Sequence, residues 1–526
     1  MIQISVLTAC RGARGFAGAS ASVAACVRLL LDGIRSRWRL EINNKLGAAL
    51  FPQLPSSAPA IILPPRFMTL TEKILARAAG KPRVQAGENL WVKADLLMTH
   101  DVCGPGVIGV FQREFGRQAK VWDKERIVII CDHYIFTADA RCNRNVDILR
   151  QFVKEQRLRY FYDVIDDPNG KWAYDPAKGP LPRQHGARYA GVCHAALPQK
   201  GHIRPGEVLL GTDSHTCTAG AFNQFATGIG NTDAGFVLGT GKLLLKVPET
   251  MHIRLEGQLQ PGVMAKDLIL RVIGDLGVDG ATYRALQFDG SGAASLSLDD
   301  RMTVANMAVE AGAKNAIFEC DAKTEEYVQH RTRLNGTPSA YEPVARDRQE
   351  QFVAESVIEL DKLVPVVACP PDPGQLKPAR QLRQVNLDRA YLGSCTGGKT
   401  SDFLEFARLA RGRRVAIETF GVPATPEVVR DLQTAYWDQQ TVWEILVAAG
   451  VQMTENASCA ACLGGPADTF GRANAPLKCI SATNRNFPGR MGHPHAQVFL
   501  ASPATVAASA LAGRIADPRD YAPDLA

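Results

Sequence analysis

Three cysteines carry the strongest chemical signal in the chain: Cys395 in Gly393-Ser394-Cys395-Thr396, and Cys459 and Cys462 in Ser458-Cys459-Ala460-Ala461-Cys462. Three thiolates can hold a [4Fe-4S] cube by three corners, which leaves the fourth iron free to bind substrate as a Lewis acid. The same spacing also suits a redox dithiol, or a zinc site completed by Cys479.

Two further places set an acid beside an imidazole, Asp132-His133 and Asp213-Ser214-His215. A carboxylate fixes the tautomer of a neighbouring histidine and raises its proton affinity, which makes a competent general acid. Histidines also cap strand ends for purely structural reasons, and His194 in Gly191-Val192-Cys193-His194 is the weaker signal of the three. The loop Asn484-Arg485-Asn486-Phe487-Pro488-Gly489-Arg490 presents two arginines, whose planar forks pair with carboxylates, so it suits a di- or tricarboxylic acid. The glycines between Gly211 and Gly241 match neither a dinucleotide fingerprint nor a P-loop; they allow the backbone to approach a bulky group closely.

Short apolar runs alternating with helical stretches must position these residues, the pattern of an α/β fold with parallel sheets. Strands are predicted over 126–130, 207–210, 389–392, 414–417, 478–481 and 497–500. Helices are predicted over 70–79, 300–311, 402–411, 427–436 and 504–512. Thr69-Leu70-Thr71-Glu72 is a capping box for the first helix and Ser502-Pro503 opens the last. Four predicted strands run directly into Asp132-His133, Asp213-Ser214-His215, Cys395 and Asn484-Arg485. Ligands of open α/β sheets bind beyond the carboxyl ends of strands, so these segments point to one shared site. Segment 336–385 reads as an irregular connection.

At 526 residues the chain is too long for a single core. Its 46% hydrophobic and 21% charged residues are ordinary for a globular protein, and no uncharged apolar run approaches the ~18 residues of a membrane span. Thirteen cysteines in so long a chain suit a reducing compartment, which makes the cytoplasm the expected location. Of the net charge of +7, nearly all sits in residues 1–67, where eight basic residues face two acidic ones; the rest is close to neutral and suggests neither nucleic acid nor membrane as partner. Residues 1–67 read as a leader of no catalytic importance, with a targeting peptide as the alternative.

Taken together, Gly211–Met251, Gly393-Ser394-Cys395-Thr396, the Cys-x-x-Cys at 459–462 and Asn484–Arg490 resemble the aconitase superfamily over nearly all of 68–518. The likeness is closest to its heteromeric dehydratases, the isopropylmalate dehydratase and homoaconitase-like branch. The resemblance implies three α/β/α domains (68–248, 249–362 and 363–526) around a shared iron–sulfur site. It implies that Cys395, Cys459 and Cys462 ligate a [4Fe-4S] cluster. Asp132, His133, His194, Asp213 and His215 then match catalytic positions, and His100, Ser214, Arg485 and Arg490 match substrate contacts. The implied reaction is removal and re-addition of water on a hydroxy-dicarboxylate. Single-chain aconitases carry a further mobile swivel domain; the resemblance implies that here a separate small subunit supplies it. An RNA-responsive binding protein on the same fold is the reading from another class. Two departures from the pattern stand out. Gln287 falls where the family usually has a glutamate, and Gly397 follows Cys395-Thr396 where relatives usually have an asparagine.

Overall fold

The computed structural model describes residues 67–164 and 189–521, which belong to one compact unit beginning at Arg66. Except for Phe67, the leader expected over 1–67 lies outside the described residues.

Three sheets make up the scaffold. The first has five parallel strands, in the order Tyr160–Tyr162, Ile127–Ile130, Leu96–His100, Val208–Gly211 and Phe225–Gly228. The second has four, Asn315–Phe318, Ala285–Asp289, Thr250–Glu256 and Ala354–Glu359, again all parallel. The third has seven, in the order Leu376–Pro378, Val366–Ala368, Gln497–Ala501, Lys478–Ser481, Arg389–Gly393, Glu418–Val422 and Gln452–Met453. Its Val366–Ala368 strand is antiparallel to both neighbours, and the rest of the sheet is parallel. Strands buried on both faces read as near-continuous apolar runs; Ile127–Ile130 is one of them. One apolar core joins the sheets, running from Met98 and Val128 through Ile253 and Leu286 to Tyr391 and Leu500.

Most elements form where local chemistry dictates. Thr69 and Glu72 close the expected capping box on helix Leu70–Ala78. Helix Leu298–Met307 is capped by Ser297 with Asp299 and Asp300 in its first turn, and a tighter 3-10 turn continues it over Ala308–Ala311. Two expectations fail. The strand expected at 414–417 lies one step on, at Glu418–Val422, because Val415 and Ala416 donate instead to the carbonyls of Ala449 and Ala510. Segment 336–385 is not irregular throughout. It contains Ala354–Glu359, an edge strand whose mostly exposed residues hide the alternation that marks a half-buried strand, and the short strands Val366–Ala368 and Leu376–Pro378.

His202 packs against the first sheet with Nε2 2.6 Å from the Tyr162 hydroxyl. Burial, with Arg204 and Lys200 nearby, holds it down to about 3. The unfolded chain takes up this proton near the ordinary histidine value, so below about pH 6.5 the unfolded state binds more protons and stability falls as the pH drops. His202→Gln is expected to remove about 1.4 kcal/mol per pH unit of that slope between about pH 6 and 4. Denaturant midpoints of the two proteins across that range measure the difference.

Candidate active site

The carboxyl ends of five parallel strands, three from the first sheet and two from the third, deliver the polar residues. His100 ends strand Leu96–His100. Asp132 and His133 follow Ile127–Ile130, and Asp213 follows Val208–Gly211. Cys395 follows Arg389–Gly393 through Ser394, a non-glycine residue held at φ 69°, and Asn484 and Arg485 follow Lys478–Ser481. Left-handed backbone at a non-glycine residue is strain that the surrounding fold must over-determine, and such strain clusters at functional sites.

Asp213 is the hub. Its Oδ1 lies 2.7 Å from His194 Nε2 and 3.4 Å from His215 Nδ1, and it accepts the His215 backbone N–H at 2.8 Å. Its Oδ2 lies 3.5 Å from His133 Nε2 and 3.9 Å from His100 Nε2. Burial opposes the charge on Asp213, but His194 and the hydrogen bonds from His133, His194 and His215 outweigh it and hold the carboxyl well below its usual range. His133 gains a second carboxylate, with Nδ1 2.7 Å from Asp132 Oδ1. Burial disfavours its charge, yet Asp132 and Asp213 together raise His133 well above the ordinary histidine value. The His100 ring stacks on His133 with centroids 4.3 Å apart; burial and the charge on His133 push His100 the other way. Asp101 fixes the turn below, accepting the backbone N–H groups of Asp132, His133 and Tyr134 at 2.9, 3.0 and 2.6 Å. Three of the four or so acceptor sites of its carboxylate are thereby taken by backbone N–H groups.

Cys395, Cys459 and Cys462 are buried together in a small cluster with Val192, Ala195 and Ala424. Cys479 packs into the main core instead, so the zinc set it would complete is not assembled. The Cys395 sulfur accepts the side-chain amides of Asn306 and Asn484 at 3.1 and 3.3 Å, and the Cys462 thiol donates to Asn484 Oδ1 at 3.1 Å. Gly397 has no room for the asparagine expected after Cys395-Thr396: a Cβ there would lie 2.3 Å from that of Ala482. Asn306 and Asn484 supply the amides instead. This donor set, soft sulfurs on three sides with amide donors aimed at one of them and, among the described residues, no fourth cysteine in the cluster, fits a cluster bound by three corners.

Arg485 Nε donates to both oxygens of Glu310, at 2.7 and 3.0 Å, and Glu310 Oε1 lies 2.8 Å from His215 Nε2. Burial and Arg485 both disfavour the charged form of His215; Asp213 and Glu310 overcome them and raise it to about 9. Arg490 is pushed down by burial and held up by Cys462, Cys459, Asp213 and Glu310, with a net rise; its Nε has no hydrogen-bond partner. Ser214 Oγ, 3.5 Å from His215 Nδ1, lines a cavity of about 380 Å³ with Thr212, Ile229, Val309 and Lys314.

All twelve residues singled out in the sequence therefore sit on the two clusters or their shared margin. The residue the sequence reading missed is Glu310, and the one it misplaced is Gln287. Gln287 lies inside strand Ala285–Asp289, accepts the Leu70 N–H at 3.2 Å and donates to Glu350 at 3.1 and 3.2 Å, away from the site. The glutamate beside the histidine hub is Glu310. Its signal in the sequence is a charged residue inside the otherwise apolar run Met307-Ala308-Val309-Glu310-Ala311.

A strand-end cysteine pocket beside a hub of histidines and carboxylates is what the structure offers for chemistry, and the family is specific. The model of the aconitase family (aconitate hydratase) matches residues 72–382 and 374–513, and the chain belongs to that family. Among its relatives, the "3-isopropylmalate dehydratase large subunit, chloroplastic" of Arabidopsis thaliana is 54% identical over 91% of this chain and 92% of its own length. The "Probable 3-isopropylmalate dehydratase large subunit" of Methanothermobacter thermautotrophicus is 42% identical over 86% of this chain and 99% of its own. The Aquifex aeolicus "3-isopropylmalate dehydratase large subunit" is 38% identical over 86% and 97%. The solved structure of Thermococcus kodakaraensis aconitase X aligns with a TM-score of 0.39 at 11% identity, over 75% of this chain and 84% of that one.

Proposed function

We propose that this chain is the large subunit of a hydro-lyase that isomerises 3-isopropylmalate, in leucine biosynthesis, by dehydration and rehydration. Cys395, Cys459 and Cys462 would hold a [4Fe-4S] cluster, and a separate small subunit completes the enzyme. The observation that carries the reading is the meeting of a three-cysteine pocket with the Asp213 histidine hub. The bound cluster supplies Lewis-acid polarisation of the substrate hydroxyl. The chain's own groups do the rest. His133, kept charged by Asp132 on Nδ1, presents the Nε2 proton to the departing hydroxyl and recovers it on rehydration. Arg485 and Arg490 hold the substrate carboxylates, Arg485 with its Nε fixed on Glu310. His100 and Ser214 line the substrate, and His194 and His215 keep Asp213 ionised. The base for the C–H proton comes from the small subunit. Homoaconitate or a methylmalate-type acid is the alternative substrate.

The full chain, produced anaerobically and reconstituted with iron and sulfide, is expected to hold about four iron and four sulfide. It is expected to interconvert the hydroxy-diacids only after a small subunit is added. One tightly held zinc with no labile sulfide would overturn the reading.

The Asp132–His133 pair gives the reaction a pH signature. A neighbouring carboxylate raises a histidine by about 1 to 3 units, so in Asp132→Asn the alkaline limb of the rate profile should move down by that much. Rate profiles of kcat for the assembled enzyme, wild type against variant, check it.

No helix among the described residues is long and apolar enough to cross a membrane. We assign the chain to the cytoplasm. The Arabidopsis relative's name gives the chloroplast for that protein, and the arginine-rich, acid-poor residues 1–67 make a plastid the alternative. Imaging of the full chain with a C-terminal fluorescent tag distinguishes the two.

A further inference from the structure

Lys266, the second residue of helix Ala265–Leu276, is 1% exposed. Its Nζ donates to the carbonyls of Ala482 and Thr483 and to Thr396 Oγ1 at 3.2 Å. The Thr396 hydroxyl spends its own proton on Ala482 O, at 2.9 Å, so toward Lys266 it is an acceptor. Three acceptors match the three N–H donors of an ammonium ion and favour the charged form, against burial, which pushes Lys266 down to about 7. Buried cations are almost always paired with an anion, yet among the described residues no carboxylate lies within ion-pair distance of Lys266. The nearby acid Asp402 is taken by Lys399, whose Nζ lies 2.9 Å from its Oδ2.

The three acceptors lie in two loops, Cys395-Thr396 and Ala482-Thr483-Asn484, which carry one sulfur of the cysteine pocket and the amide that bonds it. We infer that Lys266 is a positioning residue of the cysteine pocket: it ties these two loops together, and its ammonium is the buried counter-charge of the anionic cluster and thiolates they hold. The inference rests on the cluster reading above. It assigns Lys266 no contact with substrate.

A fixed cation behind an anionic cluster favours the electron-richer state, because hydrogen bonds and charge around the sulfurs set the potential. Lys266→Gln keeps two donors for the loops and drops the charge, Lys266→Met drops both, and Lys266→Arg keeps the charge. Potentiometric titration of the reconstituted full chains, followed by electron paramagnetic resonance, reads the one-electron reduction equilibrium of the cluster. The Gln and Met variants are expected to shift it at least about tenfold against reduction, about 59 mV. The Arg variant should stay near wild type. The melting temperature of the loaded chain should fall more than that of the iron-free chain in both neutral variants. A Gln variant with the wild-type potential, or equal falls in loaded and iron-free chains, would overturn the counter-charge role and leave only a structural tie. A wild-type chain that takes up no iron and sulfide would overturn the cluster reading, and this inference with it.

Discussion

Cys395→Ala is expected to empty the cysteine pocket without unfolding the chain. The sulfur is buried beside Cys459, Cys462 and three small apolar residues, so alanine leaves a cavity of little more than one atom. The two amides that point at it, from Asn306 and Asn484, already have other partners. Asn306 Nδ2 also donates to Thr218 Oγ1 at 2.8 Å, and Asn484 Nδ2 to Asn306 Oδ1 at 3.2 Å. The stability cost of two weakened buried hydrogen bonds is about 2 kcal/mol. Losing one of three corners, by contrast, would remove the chelation expected to hold the proposed three-cornered cluster. Iron and labile sulfide should fall sharply. Turnover by the assembled enzyme should fall by at least about 10⁴-fold, because Lewis-acid polarisation of the leaving hydroxyl supplies several kcal/mol. Cys479→Ala is the control. That thiol is buried too, but it lies in strand Lys478–Ser481 and packs into the main core. It should lose a little stability and no iron. Iron, sulfide and circular dichroism on the same preparations separate the two outcomes, and retention of a full iron complement by Cys395→Ala would refute the assignment.

The parts of this site that are legible in the sequence share one physical cause. A strand buried on both faces must be apolar, so the polar residues just after it mark the carboxyl end of the sheet, where ligands bind. That reasoning finds Asp132, Asp213, Cys395 and Asn484 with no knowledge of the pairing. It has less power where apolar runs are adjacent. Val415-Ala416-Ile417 and Thr419-Phe420-Gly421-Val422 read alike, and only hydrogen bonding to both neighbours selects the second. It has none on an exposed edge strand such as Ala354–Glu359, whose pattern is set by solvent. Contacts between segments far apart in sequence are also invisible. Glu310 reaches the site from the end of a helix, just before Gly312 at φ 85°, and so resembles an ordinary helix stop.

That misreading makes a sharp experiment. Glu310→Gln is expected to cripple the enzyme, whereas Gln287→Glu, which places a glutamate where the sequence resemblance sought one, should gain nothing. Glu310 is 5% exposed and serves two groups at once, the Arg485 guanidinium and His215 Nε2. Its carboxylate is held below the usual range: burial opposes the charge, and His215 and Arg485 outweigh it. A neutral amide cannot accept from both with charge assistance. Arg485 then loses its anchor, and His215 is left facing Arg485 with the opposing carboxylate gone. Removing one member of a buried pair costs about 3 kcal/mol, less here because Arg485 is partly in solvent, so about 2 kcal/mol is expected. Because His215, which faces Asp213, and Arg485, the proposed carboxylate holder, are disturbed together, kcat/KM should fall about 10³-fold with the iron content unchanged. At Gln287 the neighbours are wrong for an acid. Glu350, fully enclosed on its side chain, accepts from Gln287 Nε2 on both oxygens, and a second carboxylate there would face the first. Arg346, 3.0 Å from Glu350, can offset part of that repulsion. Gln287→Glu should therefore lose about 2 kcal/mol of stability as an unpaired buried acceptor replaces a donor, with kcat/KM unchanged. If Gln287→Glu raised turnover while Glu310→Gln left it intact, the proposed anchoring of Arg485 and His215 by Glu310 would be wrong, and the arrangement around Asp213 would lose its outer support.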